Sequence, residues 1–250
     1  LISDVPLGAL LSGGVDSSTV VAMMARVSNT PVKTFSIGFG AAEFDESAAA
    51  KEVAETFGTE HQQLRVEPDL WETALSLSEI LDEPFADSSA IPTYHVSKLA
   101  RQHVTVALSG DGGDEFFIGY DRYIAQQQRR YFDLVPRWAG ALYQERVFPM
   151  LPASIRGRKL AFNIGSNSRD RFIDGESYIS GRNTGTSLLT RQFKELFEST
   201  HPEGVLQRYF DSAPASDFLS RMQYTDIKAY MTADVLAKVA LNSGADVLTI

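Results

Sequence analysis

Two glycine-rich segments hold the residues of this chain that could do chemistry. The first reads Leu11, Ser12, Gly13, Gly14, Val15, Asp16, Ser17, Ser18. An apolar stretch from Val5 to Leu11, interrupted by Pro6 and Gly8, leads into it, and a helical stretch rich in Ala, Val and Met follows from Thr19 to Val27. Strand, glycine turn and helix start together present free N–H groups and a helix N-terminus to an anion. Paired glycines let a phosphate come close without meeting a Cβ, and Ser12, Ser17 and Ser18 add hydroxyl donors. Asp16 is the odd member, because a carboxylate repels a phosphate unless a cation lies between them. Mg²⁺ fits that place, since it takes oxygen ligands and bridges one or two carboxylates to substrate phosphates. The plainer alternative is a Ser/Gly turn with an Asp helix cap. At average usage the hexapeptide Ser12–Ser17 arises by chance at ~10⁻⁷ per position, which favours the phosphate loop.

The second segment reads Leu108, Ser109, Gly110, Asp111, Gly112, Gly113, Asp114, Glu115. It places three carboxylates in one glycine-rich loop directly after an apolar run. Such a concentration of negative charge is unfavourable without a cation, and each carboxylate raises its neighbours' pKa. Alone it could equally be a solvated acidic turn. Beside Asp16 on a neighbouring strand, the metal reading is the better one.

The elements between these loops must bring them together. Val32–Phe39, with Pro31 before it, reads as a short buried parallel strand. Phe44–Phe57 has helical spacing, with Asp45 as N-cap and Gly58 as stop. His61–Val66 reads as a strand, Leu70–Leu81 and Pro92–His103 as helices, and Val104–Leu108 as a central strand. Strands alternating with helices predict an α/β fold with a right-handed, doubly wound parallel sheet. Ligands of such sheets sit at the carboxyl ends of the strands, where the loops at Ser12 and Ser109 can meet. Beyond about Tyr120 the pattern turns helical, with Arg191–Phe197 and Phe218–Leu236 the clearest stretches and no further strand convincing. Arg156–Thr186 mixes Gly, Asn, Ser and Arg and reads as partly mobile. We expect one domain, with a nucleotide-binding α/β core at 1–120 and a helical part at 121–250 packed on the sheet.

Composition narrows the function. The chain has 250 residues, 44% apolar and 22% charged, as in an ordinary globular protein. A net charge of −9 argues against nucleic-acid binding, which sets Lys and Arg against phosphates. The absence of cysteine excludes disulfides, thiolate zinc sites and a Cys nucleophile, and suits a cytoplasmic protein. No apolar run approaches the length of a membrane span, and no signal-peptide layout opens the chain. Starting at Leu1, immediately before the first loop, it reads as a fragment.

Ser12-Gly13-Gly14-Val15-Asp16-Ser17 resembles the pyrophosphate-binding loop of the N-type ATP pyrophosphatases, which cleave ATP to AMP and pyrophosphate and adenylate a substrate. It lacks the Lys-Ser/Thr of a Walker A loop and the third glycine of a dinucleotide fingerprint. Ser109-Gly110-Asp111-Gly112-Gly113-Asp114-Glu115, followed by Gly119-Tyr120, is similar to the second motif of class B asparagine synthetases, in their C-terminal synthetase domain. Leu1–Pro6, Phe35–Phe39, Asp45–Ser47, Gly58–His61 and Asp82–Ser89 agree with the same family, and the likeness continues weakly through the helical half. The resemblance implies that Ser12, Gly13, Gly14, Ser17 and Ser18 bind pyrophosphate, and that Asp16 and Asp114 hold Mg²⁺. It implies that Leu10, Ile37, Ser109 and Gly110 line the AMP site, with Asp111 close to the reacting acyl-adenylate. ATP and Mg²⁺ are then the cofactors, and Asp16, Asp111 and Asp114 the catalytic carboxylates.

The departures also count. The family commonly has Phe-Gly-Gly-Tyr where this chain reads Phe117-Ile118-Gly119-Tyr120. Lys238-Val239 resembles the start of a Lys-Val-Asp-Arg segment, but Ala240 and Leu241 take the charged places. The family's adenylation lysine lies beyond, so Lys238 reads as a helix-surface or structural lysine. The family's glutaminase domain is expected to lie outside this chain, so that ammonia would come from elsewhere. His61, His95, His103 and His201 lack metal-ligand spacing and read as structural, although His61 could face the site. Trp71 and Trp138 read as core or interface residues. Arg122 and Tyr123 could reach substrate or pyrophosphate, or equally begin a solvated helix.

The resemblance implies a ligase of asparagine biosynthesis, an amidotransferase's synthetase part. It would adenylate a carboxylate, L-aspartate by default, and pass it to ammonia. The alternatives are a non-catalytic nucleotide-binding domain, a related enzyme acting on another carboxylate, and, least in keeping with the acidic charge, a tRNA-modifying branch. Small molecules are the expected partners, with no nucleic acid and no membrane, and a homodimer is the assembly to test.

Overall fold

The computed structural model describes residues 1–39, 45–67, 70–81, 85, 87–152, 163–176, 189–200, 204–238 and 246–249. Phe44, Asp82–Pro84, Ala86, His201, Ala240, Leu241 and most of 156–186 lie outside the described residues. The chain divides into two compact units, one of Leu1–Phe117 with Tyr230–Ile250 and one of Ile118–Ala229.

The first unit is built on a parallel sheet. Its strands are β1 (Leu7–Leu10), β2 (Lys33–Phe39), β3 (Glu60–Val66), β4 (Val106–Ser109) and β5 (Asp246–Thr249), in the order β3-β2-β1-β4-β5. Helices α1 (Val15–Val27), α2 (Ser47–Phe57), α3 (Leu70–Ile80) and α4 (Ala90–Arg101) connect the first four strands. Successive side chains of a strand point to opposite faces, and the two faces have separate cores. Ala9, Leu11 and Leu108 pack with Val21 and Met24 of α1 and Ala50 and Ala54 of α2. Phe35 and Ala107 pack with Leu99 and Ala100 of α4. Cover on both faces is why these strands read as apolar runs without alternation. The expected α/β doubly wound architecture is present.

The local signals mostly resolve as expected, apart from Asp45, which is not the cap of α2, and three larger corrections. Gly58 ends α2 in the left-handed region at φ 62°. Asp45 stands one residue before the cap position, and its Oδ1 accepts the Ser47 N–H at 3.0 Å. The first correction is β5, a strand in the half expected to have none. It pairs in parallel with β4, Val106 opposite Asp246 through Ser109 opposite Thr249. Four residues are too few for a periodic signal, so only the β4 edge reveals it. The second is Phe218–Leu236, which is not one helix. Its α-helical part ends at Lys228, Ala229 departs to φ −114° and ψ −65°, and Met231–Val235 forms a π-helical turn. The third is that Trp71 and Trp138 are exposed at 74% and 73%, so of the core-or-interface reading the core half does not hold.

The second unit has its own core. Tyr123 of α6 (Asp121–Gln128), Phe172 and Ile173 of the helix Ser168–Glu176, Phe210 of Gly204–Ser212, and Phe218 and Met222 of Phe218–Lys228 bury one another. Among the described residues no helix is long and apolar enough to cross a membrane.

Candidate functional site

The first loop leaves β1 at Leu10, after which the Leu11 N–H still donates to the Phe35 carbonyl at 2.8 Å. Gly13 then turns the chain at φ 85°, and a Cβ there would stand 2.6 Å from Ala49 Cβ and Ala50 N of α2. Gly14, extended at φ −68° and ψ 164°, caps α1. The buried Ser17 ties the turn together. Its hydroxyl accepts the Ser12 N–H at 3.3 Å, donates to the Gly14 carbonyl at 3.2 Å and lies 3.0 Å from the Ser12 hydroxyl. The Gly14 N–H donates to Ser12 Oγ at 3.3 Å. Intrahelical bonding begins with the Ser18 N–H on the Gly14 carbonyl at 3.0 Å. The preceding N–H groups of Val15, Asp16 and Ser17 therefore have no acceptor within the helix and point out of its start. Ser12 and Gly14 are exposed, and Gly13, Asp16 and Ser18 half-buried.

The second loop leaves β4, the immediate neighbour of β1. Ser109 is buried, and its Oγ accepts the Asp111 N–H at 3.4 Å. The Gly113 N–H closes the turn on the Gly110 carbonyl at 3.1 Å, with Gly112 at φ 92°. A short helix, α5 (Gly113–Phe117), follows with Asp114 and Glu115 in its first turn. Glycine lets this loop lie directly against the first. A Cβ on Gly110 would lie 2.6 Å from the Ser17 nitrogen, and one on Gly113 would lie 2.6 and 2.8 Å from the two Asp16 carboxylate oxygens. Asp16 thus rests its carboxylate on Gly113 of the second loop, the residue before Asp114. Asp111 and Asp114 are half-buried.

Leu10 ends β1, and Ile37 lies two residues before the end of the neighbouring β2. Leu10 pairs with Phe35, two positions before Ile37, so all three share a face. Both are half-buried where Phe35 is fully buried. The structure therefore gathers Leu10, Ser12–Ser18, Ile37 and Ser109–Asp114 at the carboxyl edge of three adjacent strands. Among the described residues no group of three or more His, Asp or Glu side chains could by itself hold a metal ion.

The other candidates fall into structural networks. His61 Nδ1 lies 2.9 Å from Thr34 Oγ1 and its Nε2 3.1 Å from Ser36 Oγ, so both ring nitrogens are engaged within the sheet. Burial pushes its pKa below the ordinary value. His95 Nε2 lies 3.3 Å from Thr73 Oγ1, and His103 Nδ1 accepts from Gln62 at 3.3 Å. Arg122, its side chain 30% exposed, is held in an ion-pair network of the second unit. It donates to Glu176 at 2.6 Å and Asp226 at 3.0 Å, while the Tyr123 hydroxyl donates to the same Asp226 oxygen at 2.6 Å.

Lys238, taken from the sequence as a surface or structural lysine, is buried at 7% exposure. Its ammonium donates to Asp87 Oδ2 at 2.6 Å and to Asp234 Oδ1 at 3.4 Å. Burial alone would push Asp87 up, but hydrogen bonds from Lys238 and Ser89 and the lysine's charge hold it well below the carboxylate range. Asp234 is pushed up by burial and by Asp87 beside it. Sequence spacing marks Asp234 and Lys238 as one helical turn apart, but carries no sign of Asp87.

A doubly wound α/β sheet with two glycine loops converging at its carboxyl edge defines an α/β protein with a composite loop site. The chain belongs to the asparagine synthase family, whose model matches residues 1–247. It is 35% identical over 237 residues to glutamine-hydrolysing asparagine synthetase 1 of Bacillus subtilis, covering 94% of this chain and 36% of that protein. It is also 35% identical over 134 residues to glutamine-hydrolysing asparagine synthetase 2 of Oryza sativa subsp. japonica, covering 48% of this chain and 22% of the other. The chain therefore spans about a third, or less, of the length of these curated relatives.

Proposed function

We propose that this chain is the ATP-using synthetase part of an asparagine synthetase-like ligase. A substrate carboxylate attacks the α-phosphorus of ATP, releasing pyrophosphate and leaving an acyl-adenylate. Ammonia then attacks the acyl carbon and AMP departs, which gives the amide. L-aspartate is the default carboxylate, and the relatives' names support glutamine hydrolysis, in a part outside this chain, as the ammonia source. The nucleotide-binding core is the unit of residues 1–117 with 230–250, and 118–229 the helical part of the same domain. The absence of cysteine supports a cytoplasmic setting.

The observation that carries this reading is the Asp16 carboxylate seated on Gly113, which joins the two loops. The first-turn amides of α1 and the hydroxyls of Ser12 and Ser18 would bind the pyrophosphate, as fixed donors that need no reorganisation during the reaction. Leu10 and Ile37 would pack against the adenosine, and Asp111 would face the acyl-adenylate. The donor set fits Mg²⁺, which keeps several waters and needs only one or two carboxylates plus phosphates, here Asp16 and Asp114. Bound there, it would neutralise charge developing on the leaving pyrophosphate.

The test is Mg²⁺-dependent ATP–pyrophosphate exchange on this chain with L-aspartate and a panel of other carboxylates. Exchange stimulated by one carboxylate is expected and names the substrate. ATP binding without exchange for any of them overturns adenylation by this chain.

A further inference from the structure

We infer that Lys238 is a positioning residue for the reaction, holding through Asp87 the segment that enters α4. The inference rests on the adenylation reading above and concerns which residues shape its carboxylate side.

The topology places that segment at the reaction edge. All strands are parallel, and β1 and β4 run into the two glycine loops at their carboxyl ends. α4 ends at Arg101, and the next residues return to the opposite edge, where the Thr105 and Val106 N–H groups both donate to the Pro6 carbonyl just before β1. α4 packs along β1, β2 and β3. Its twelve residues rise about 18 Å, enough to cross strands of this length. Its start, with Asp87, Ser88 and Ser89 before it, therefore opens on the same edge as Ser12 and Ser109.

Asp87 is fully engaged in shaping this start. Its Oδ1 accepts the Ser89 N–H at 2.9 Å, and its Oδ2 accepts the Ser89 hydroxyl at 2.6 Å. The Lys238 ammonium donates to that same Oδ2 at 2.6 Å from a residue 151 positions away. Asp234, the second acceptor, sits in the π-helical turn Met231–Val235, and such turns concentrate at functional positions. A buried ion pair adds little stability over a well-packed apolar pair. What this one supplies is geometry, a single placement of 87–89 at the edge where the acyl-adenylate forms. The pyrophosphate loop is built from Ser12–Ser18 and makes none of these bonds.

The experiment measures carboxylate-dependent ATP–pyrophosphate exchange and melting temperature for the wild-type chain, Lys238→Met and Lys238→Arg. Lys238→Met is expected to raise the carboxylate KM roughly tenfold and leave the ATP KM within about twofold, since displacing a positioning group costs orientation and not phosphate binding. Lys238→Arg, which keeps the charge, is expected to recover part of that loss. If Lys238→Met does not fold, Lys238→Arg carries the test with the same split between the two KM values. Unchanged parameters in a folded variant overturn the inference and leave the adenylation reading standing. So does a parallel loss of ATP and carboxylate parameters that follows the melting temperature. A wild-type chain with no exchange overturns the adenylation reading, and the inference falls with it.

Discussion

At the scale of single residues, the contact between Gly113 and Asp16 can be separated from folding. Gly113 is not in the left-handed region, so alanine fits its backbone. The added Cβ meets only the end of the Asp16 side chain, which can swing aside at little cost. Gly113→Ala is therefore expected to melt close to wild type while exchange falls roughly a hundredfold, the scale of loss when a reacting group is misplaced. Full activity in that variant removes Asp16 from the mechanism. His61 gives a second residue-scale prediction. Its pKa is lowered by burial, so the folded state favours the neutral ring that Thr34 and Ser36 hold. A lowered histidine pKa contributes stability above its unfolded value of about 6.5, lost as pH falls through the folded value. Urea midpoints between pH 7 and pH 5 should drop more steeply for wild type than for His61→Gln. Parallel curves would count against it.

Among elements, one buried tie of the second unit is Asp226, only 1% exposed. It links α6 to the helix Phe218–Lys228 by accepting from both Arg122 and Tyr123. Removing Asp226 takes the acceptor from the buried Tyr123 hydroxyl, at a cost of about 1–3 kcal/mol, while Arg122 keeps Glu176. Asp226→Ala should lose that much by denaturant titration, and a loss under about 1 kcal/mol would show the tie to be solvated. Elements whose signals are local were legible in the sequence. Both glycine loops, four strands and the stop at Gly58 depend on neighbouring residues, and so appear in the pattern. The replaced glycine of the family motif was legible too, and its consequence is visible. Ile118 stands at φ 63°, a region costly for a β-branched residue, while its side chain packs on the second unit's core. Features created by distant partners were not legible. Strand β5 exists only beside β4, the break after Lys228 follows no proline or glycine, and Lys238 finds Asp87 across most of the chain. The same limit applies to the site. Its residues were named from motifs, but the seat of Asp16 on Gly113 is a property of the fold.

For the whole molecule, the question is how an acidic chain takes a polyanion. A net charge of −9 repels a nucleotide at long range, and the two loops proposed to take its phosphates carry Asp16, Asp111 and Asp114. The offsets available are local ones, the α1 amides and dipole and a divalent cation between carboxylate and phosphate. Neither offset suffices alone, because the amides face phosphates that the carboxylates repel. Nucleotide binding should therefore depend on the cation, and stability reports it without any turnover. A ligand bound only by the folded state at 100 times its Kd adds about 2.7 kcal/mol, which for a chain of this size raises the melting temperature by about 5–10 °C. ATP with Mg²⁺ should give that shift in the wild-type chain, and ATP with a chelator should give little. In Asp16→Ala the two conditions should coincide. An equal shift with and without Mg²⁺ in wild type would mean that the amides alone hold the phosphates, and that the carboxylates at the loop junction serve something other than a cation.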